Sequence, residues 1–220
     1  MTRQQLIATL ADRIAHVKRS HPVRVPIDGV DAAGQTTLAD ELVGPLERAG
    51  RVVIRASIDG FHDPSAVRYP RGRSSPEGYF RDSFNHAQLM ETLLTPLGPG
   101  GDRRYRRAIF DVRLDQPVEA PVEQASPDAV LLFDGVFLLR PELRPYWDFS
   151  IFVRADFEVT VARAEARDHQ RFGSHAQVRQ RYAERYVPGQ QLYLAEAHPG
   201  RHASIVVDHN DVAHPTLGGL

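Results

Sequence analysis

The chain has 220 residues, no cysteine, and 27 Lys+Arg against 28 Asp+Glu, for a formal net charge of −1. The missing cysteine excludes a disulfide framework and any thiolate metal site, and the balanced charge leaves no bulk electrostatic footprint for nucleic acid. Hydrophobic content of 42% with 25% charged residues excludes a largely disordered chain, and area scaling for this size buries about 70% of the surface, enough for an α/β core without staples.

In chain order, residues 2–19 predict an amphipathic helix, with Leu6, Ile7, Leu10, Ile14 and Val17 on one stripe behind Thr2 as cap. Arg3, Asp12, Arg13, Lys18 and Arg19 interrupt that stretch, unlike a secretory signal. Residues 23–28 are a β-rich run in which Pro26 forfeits one ladder donor. A glycine-bearing turn leads into a helical pattern over 36–48, closed by Gly50, and 51–56 is the next strand. Residues 60–86, punctuated by Pro, Gly and Ser, read as a long functional loop or cover. A short helix over 87–94 stops at Pro96 and Gly98, and 104–112 reads as a strand, one arm of an edge hairpin. Residues 129–133 have the near-continuous apolar character of a buried parallel strand. The apolar stretch 129–139 is broken by Asp134 and Gly135, far short of the ~20 residues that span a bilayer. A helix over 141–147, a strand over 149–153, a helix over 156–169, helical segments near 175–197 and a strand over 204–207 follow, with a loose tail after Asn210. His198 and His202 have ligand-like spacing, but Pro199 and Gly200 deny that segment a helix, and no metal is assigned there.

Strands separated by helical patterns predict one α/β domain over residues 1–220 with a parallel sheet flanked by helices. The expected location is cytoplasmic, with no membrane or nucleic-acid partner; association into a homo-oligomer is left open.

The segment 29–37, Gly-Val-Asp-Ala-Ala-Gly-Gln-Thr-Thr, lies where a strand ends and a helix begins. It fits the phosphate-loop pattern G-x-x-x-x-G-K-[ST] everywhere except at Gln35, which stands in the lysine's place. In such a loop, backbone N–H groups and the helix N-terminus cradle phosphates, a lysine neutralises them, and a hydroxyl holds Mg²⁺. Gly29, Asp31, Ala32, Ala33, Gly34 and Thr37 form the cradle here and Thr36 is the Mg²⁺ hydroxyl, while Gln35 offers only neutral donors. Lys18, the single lysine, precedes the strand and lies about 20 Å away at ~3.3 Å per residue. A bland strand–turn–helix is the competing reading of these glycines.

Beyond the loop, Asp59-Gly60-Phe61-His62, the segment 73–84, Tyr105 to Asp111, Phe133-Asp134-Gly135 and the series Arg163, Arg167-Asp168, Arg171-Phe172-Gly173 occur in an order that resembles the uridine kinase/phosphoribulokinase/pantothenate kinase group of P-loop kinases. The likeness spans roughly residues 22–208; it departs at Gln35 and at Asp134, where uridine kinases usually carry glutamate. The resemblance implies a P-loop NTPase fold and transfer of the γ-phosphate of ATP or GTP, with Mg²⁺, to a hydroxyl of a nucleoside or nucleoside-like molecule. Another small alcohol as acceptor and a non-catalytic nucleotide-binding protein are the alternatives, the second because Gln35 removes a catalytic cation.

Asp59 then accepts the acceptor's proton, against the alternative of a turn-forming Asp-Gly. His62 reads as a supporting group beside it. Asp134, ending the most apolar strand, needs a nearby cation, which a hydrated Mg²⁺ would supply; here too an Asp-Gly turn is the alternative. Arg163, Arg167 and Arg171 recur every four residues, so a continued helix projects them along one face as a phosphate clamp, with Arg167 acting in catalysis and the lid covering about 163–190. A solvated surface helix with Glu165 and Asp168 as partners is the alternative. Tyr79, Asp82, Tyr105 and Arg113 are acceptor-site residues by resemblance only.

Overall fold

The computed structural model describes residues 1–218. Helix α1 (Arg3–Ala15) opens on a capping box, Thr2 accepting from the Gln5 N–H and Gln5 returning to the Thr2 N–H, and buries Leu6, Leu10, Ala11 and Ile14. Strand β1 (Val23–Gly29) feeds α2 (Gln35–Arg48), and β2 (Val53–Ser57) follows. Helices α3 (Ser65–Arg68), α4 (Pro76–Asp82) and α5 (His86–Leu89) lead to four two-residue strands: β3 (Arg104–Tyr105), β4 (Phe110–Asp111), β5 (Gln116–Pro117) and β6 (Glu123–Gln124). The central β7 (Val130–Gly135), β8 (Ile151–Arg154), α6 (Phe157–Phe172), α7 (His175–Arg181), α8 (Val187–Ala197), α9 (Pro199–His202), β9 (Ile205–Asp208) and β10 (Thr216–Gly218) complete the chain.

The main sheet runs β10-β9-β8-β1-β7-β2, parallel throughout except for β10. Every residue of β1 and β7 is buried, as expected where helices cover both faces. Alternation along β7 divides the core: Leu131 and Phe133 face the layer of α4, α5 and α8, whereas Val130 and Leu132 join Val23, Val25 and Ile27 against α1 and α2. Pro26 is tolerated in this central strand because the ladder with β8 begins only at Ile27. At the carboxyl end of β1, Asp28 is fully buried, with the Tyr193 hydroxyl bonded to it and the Leu138 N–H donating at 3.2 Å; burial pushes its pKa up to about 7.

Several expectations change. The first helix ends at Ala15 rather than continuing to residue 19, and the loop expected over 60–86 carries α3 and α4. The strand expected over 104–112 is two fragments, β3 paired with β6 and β4 with β5, because Arg106 to Ile109 bend away to meet the turn at Gly60. The helix expected over 141–147 shrinks to a 3-10 turn at Arg144–Tyr146. Pro199 starts α9 instead of preventing it, since the first helical turn needs no proline N–H. The tail expected to be loose folds back as β10 on β9; its last two residues, 219 and 220, lie outside the described residues.

Candidate functional site

The parallel strands point their carboxyl ends to one edge of the sheet, where open α/β folds place ligands. The phosphate loop follows β1, a 3-10 turn at Ile58–Phe61 carrying Asp59 follows β2, Asp134 ends β7, α6 follows β8, and His209 follows β9. Together they line a cleft of about 550 Å³.

Loop geometry explains its glycines. Gly34 sits at φ 102°, and a Cβ there would lie 2.7 Å from the His209 ring; a Cβ on Gly29 would meet the Val153 carbonyl at 2.8 Å. His209 is buried beneath the loop with Nδ1 2.5 Å from the Ala33 carbonyl and Nε2 2.7 Å from Arg3, and burial lowers its pKa. The Gln35 side chain is buried as well, and its Oε1 accepts the Gly34 N–H at 3.1 Å. The residue in the lysine position thus occupies one of the amides that a phosphate would use.

Asp31 faces the cleft while accepting from Tyr79 at 2.5 Å and Gln190 at 2.7 Å; removal from water lifts its pKa to about 6. Phosphate bound at the loop would raise that value further, so binding takes up a proton. Nucleotide affinity is therefore expected to fall as pH rises through about 6, by at most about tenfold per pH unit. Calorimetric titrations at about pH 5.5 and pH 8 check this, and Asp31→Asn, with no proton to take up, should narrow the difference between them.

On the cleft floor the Thr36 hydroxyl donates to Asp134 Oδ2 at 2.6 Å. The cation expected beside buried Asp134 is supplied by Arg55, which sequence reasoning missed: its guanidinium reaches Asp134 Oδ1 at 2.9 Å and Asp40 at 2.8 Å. Arg55 lies outside the cleft lining, whereas Thr36 and Asp134 are part of it. A hydroxyl and a carboxylate side by side form an all-oxygen donor set, which suits a hard cation that keeps most of its water.

Asp59 is exposed to the cleft, and its carboxylate has no hydrogen-bond partner among the described residues; Ser57 caps the turn instead. His62 Nδ1 lies 3.0 Å from the Asp59 carbonyl, and burial lowers the imidazole pKa. Arg163, Arg167 and Arg171 all project from α6 into the same cleft. Arg163 donates to the carbonyls of His209 at 2.8 Å and Asn210 at 3.0 Å, and Arg167 pairs through two nitrogens with Asp168, which holds its pKa above the ordinary range. Arg171 has no ion-pair partner among the described residues and lies over the Phe172 ring.

Tyr79 and Arg113 also line the cleft, but Asp82 and Tyr105 do not. Asp82 pairs with Arg71 at 2.9 Å, and Tyr105 is buried against the small β3–β6 ribbon with its hydroxyl near Glu123. Of the expected cradle residues, Gly29 and Ala33 do not line the cleft: Gly29 packs against Val153 and the Ala33 carbonyl is engaged by His209. Sequence reasoning did not single out Arg3, Arg68, Tyr69, Tyr182, Tyr186 or His209 as cleft residues. In all, seven arginines and four aspartates line the cleft, a positive excess on a chain of net charge −1.

The sequence pattern of the Phosphoribulokinase / Uridine kinase family matches residues 25–206. The chain is 28% identical over 149 residues to Uridine-cytidine kinase B of Dictyostelium discoideum, an alignment covering 67% of this chain and 59% of that protein. It is 24% identical over 149 residues to Uridine kinase of Brevibacillus brevis, covering 67% of each. The chain thus spans less than two thirds of the first of these relatives. Among solved structures, a Bacillus stearothermophilus protein described as a possible uridine kinase superposes with a TM-score of 0.73 at 22% identity, over 92% of this chain and 97% of that one. D-glycerate 3-kinase from Cryptococcus neoformans superposes at 0.66 and 14% identity, over 99% of both chains. At these identities the structural likeness speaks for the fold, that of P-loop kinases.

Proposed function

Because the chain belongs to the Phosphoribulokinase / Uridine kinase family, we propose that it binds ATP or GTP with Mg²⁺ at residues 29–37 and transfers the γ-phosphate to a hydroxyl of a small molecule. A nucleoside or nucleoside-like molecule is the first acceptor to consider, since both relatives' names include uridine kinase activity. One observation carries the reading: a phosphate loop, a free carboxylate at Asp59, the Thr36–Asp134 oxygen pair and three helix-borne arginines open on one cleft. Thr36 and Asp134 would hold Mg²⁺, which when bound neutralises phosphate charge. The loop amides and the α6 arginines orient the triphosphate, and Asp59 holds the proton leaving the acceptor hydroxyl.

A second reading, transfer to a different small alcohol, is favoured by Asp82 and Tyr105 lying outside the cleft, because these are two of the four residues that the resemblance offers for a nucleoside acceptor. Calorimetry with Mg·ATP and Mg·GTP tests the nucleotide site. The expected result is saturable binding despite Gln35; no heat at millimolar nucleotide with folded protein overturns the assignment. No helix among the described residues is long and apolar enough to cross a membrane.

A further inference from the structure

We propose that the acceptor carries an oxyanion, a carboxylate or a phosphate, bound by Arg68, Arg113 and Arg185 beside Asp59. The proposal rests on the phosphotransfer reading above and specifies its substrate class. Around the turn that carries Asp59, the cleft wall comes from α3 and the β4–β5 hairpin. The Ile109 N–H bonds the Gly60 carbonyl at 2.8 Å, and Asp115 ties the hairpin to α3 through the Ser65 N–H at 3.0 Å and Arg68 at 2.8 Å. Arg68 and Arg113 therefore stand at the Asp59 end of the cleft, while Arg3, Arg163 and His209 surround the phosphate loop.

Two observations make this end a built anion site. Arg185 is only 7% exposed, yet it has no carboxylate partner among the described residues. It donates to the Arg73 and Ser75 carbonyls at 2.9 and 3.1 Å and lies over the rings of Tyr69 and Tyr79. A guanidinium withdrawn from water without a counter-charge is costly, and the cleft it lines is where one could arrive. Arg68, whose side chain is 9% exposed, pairs with Asp115, but its Nε–H is buried with no acceptor. Arg113, on the exposed hairpin tip, adds a third cation. A neutral nucleoside offers this wall no charge to pair with; a planar oxyanion suits guanidinium forks.

The test is calorimetry on the full chain with a non-hydrolysable ATP analogue and Mg²⁺, titrating matched pairs: glycerate against glycerol, ribose 5-phosphate against ribose, and UMP against uridine. At least one anionic member should bind more tightly than its neutral partner by roughly tenfold or more. Whether glycerate or a phosphate ester does so identifies the oxyanion. Arg68→Gln and Arg113→Gln should each weaken that member by roughly 10–100-fold and leave its neutral partner unchanged. Arg71→Gln, outside the cleft, should change neither. Because Arg68 also anchors the hairpin, the exposed Arg113 variant keeps the test valid if Arg68→Gln misfolds. Neutral members binding as well as anionic ones overturn the proposal and leave the kinase reading standing; so does a loss of analogue affinity in both variants, which would assign these arginines to the triphosphate. Anion binding without any nucleotide binding overturns the kinase reading and the acceptor role that depends on it.

Discussion

In a Gln35→Lys background, Asp59→Asn is expected to lower phosphotransfer by roughly 10²–10⁴-fold while nucleotide affinity stays within a few-fold. The carboxylate faces the cleft unpartnered, whereas the turn that carries it is capped by Ser57, so replacing it with an isosteric amide leaves the local structure in place. What disappears is a site able to hold the proton of the attacking hydroxyl. The lysine background matters because a parent of low activity would hide the loss. Single-turnover transfer to the best acceptor, at saturating nucleotide, is the measurement. Unchanged turnover would reduce Asp59 to a turn residue.

The second large effect runs the other way: Gln35→Lys should raise phosphotransfer by roughly 10²–10³-fold. One preorganised donor to developing charge is typically worth about 2.7–4 kcal/mol, and here the added group is a full cation. Three nearby arginines are poor substitutes. Arg163 is held by backbone carbonyls, Arg167 by Asp168, and Arg55 spends its charge on Asp40 and Asp134 from outside. The geometry adds an effect on binding, because glutamine accepts the Gly34 N–H and lysine cannot, so the substitution also frees a phosphate-binding amide. Gln35→Ala separates the two contributions: it should improve nucleotide affinity with little gain in turnover. A rise below about tenfold for Gln35→Lys would mean that the glutamine belongs to an adapted site.

The parts of the chain that were legible beforehand share one property: their signal is local. The β-rich run of β1, the apolar run of β7, the glycine-bearing turn and the stripe on α1 each follow from neighbouring residues, and the rule that ligands gather at strand ends pointed to Asp59 and Asp134, both of which line the cleft. The segment 60–86 was not legible, because α3 is a single turn fixed from far away, by Asp115. Arg68 escaped for the same reason, being a long side chain over the Tyr69 ring with no periodic spacing to mark it, while Arg185, which read more readily as solvated surface than as a second rank of the clamp, is buried and lines the cleft. Arg55 left a faint trace: an arginine inside a half-buried strand, two residues before Ser57, which registers with Asp134. Tyr105 and Asp82 show the converse, residues matched by motif whose side chains the small ribbon and Arg71 hold elsewhere.

Buried Asp28 connects the scaffold under the phosphate loop to acidity. Its folded-state pKa, about 7, lies above the 3.8 of a solvated aspartate, so the native chain holds a proton that the unfolded chain releases. Its contribution to stability is complete below about pH 4 and disappears as pH rises through 7, a span worth at most about 4 kcal/mol. Thermal unfolding of the wild type should therefore show a stability component that declines from mildly acidic to mildly alkaline buffer. Asp28→Asn, which keeps one carbonyl acceptor for the two donors and has no charge to desolvate, should flatten that component and melt higher than the wild type at about pH 8. The strand end that presents the loop to phosphate is held most firmly when it carries a proton, so mildly alkaline buffer should lower the stability of the fold that positions the loop.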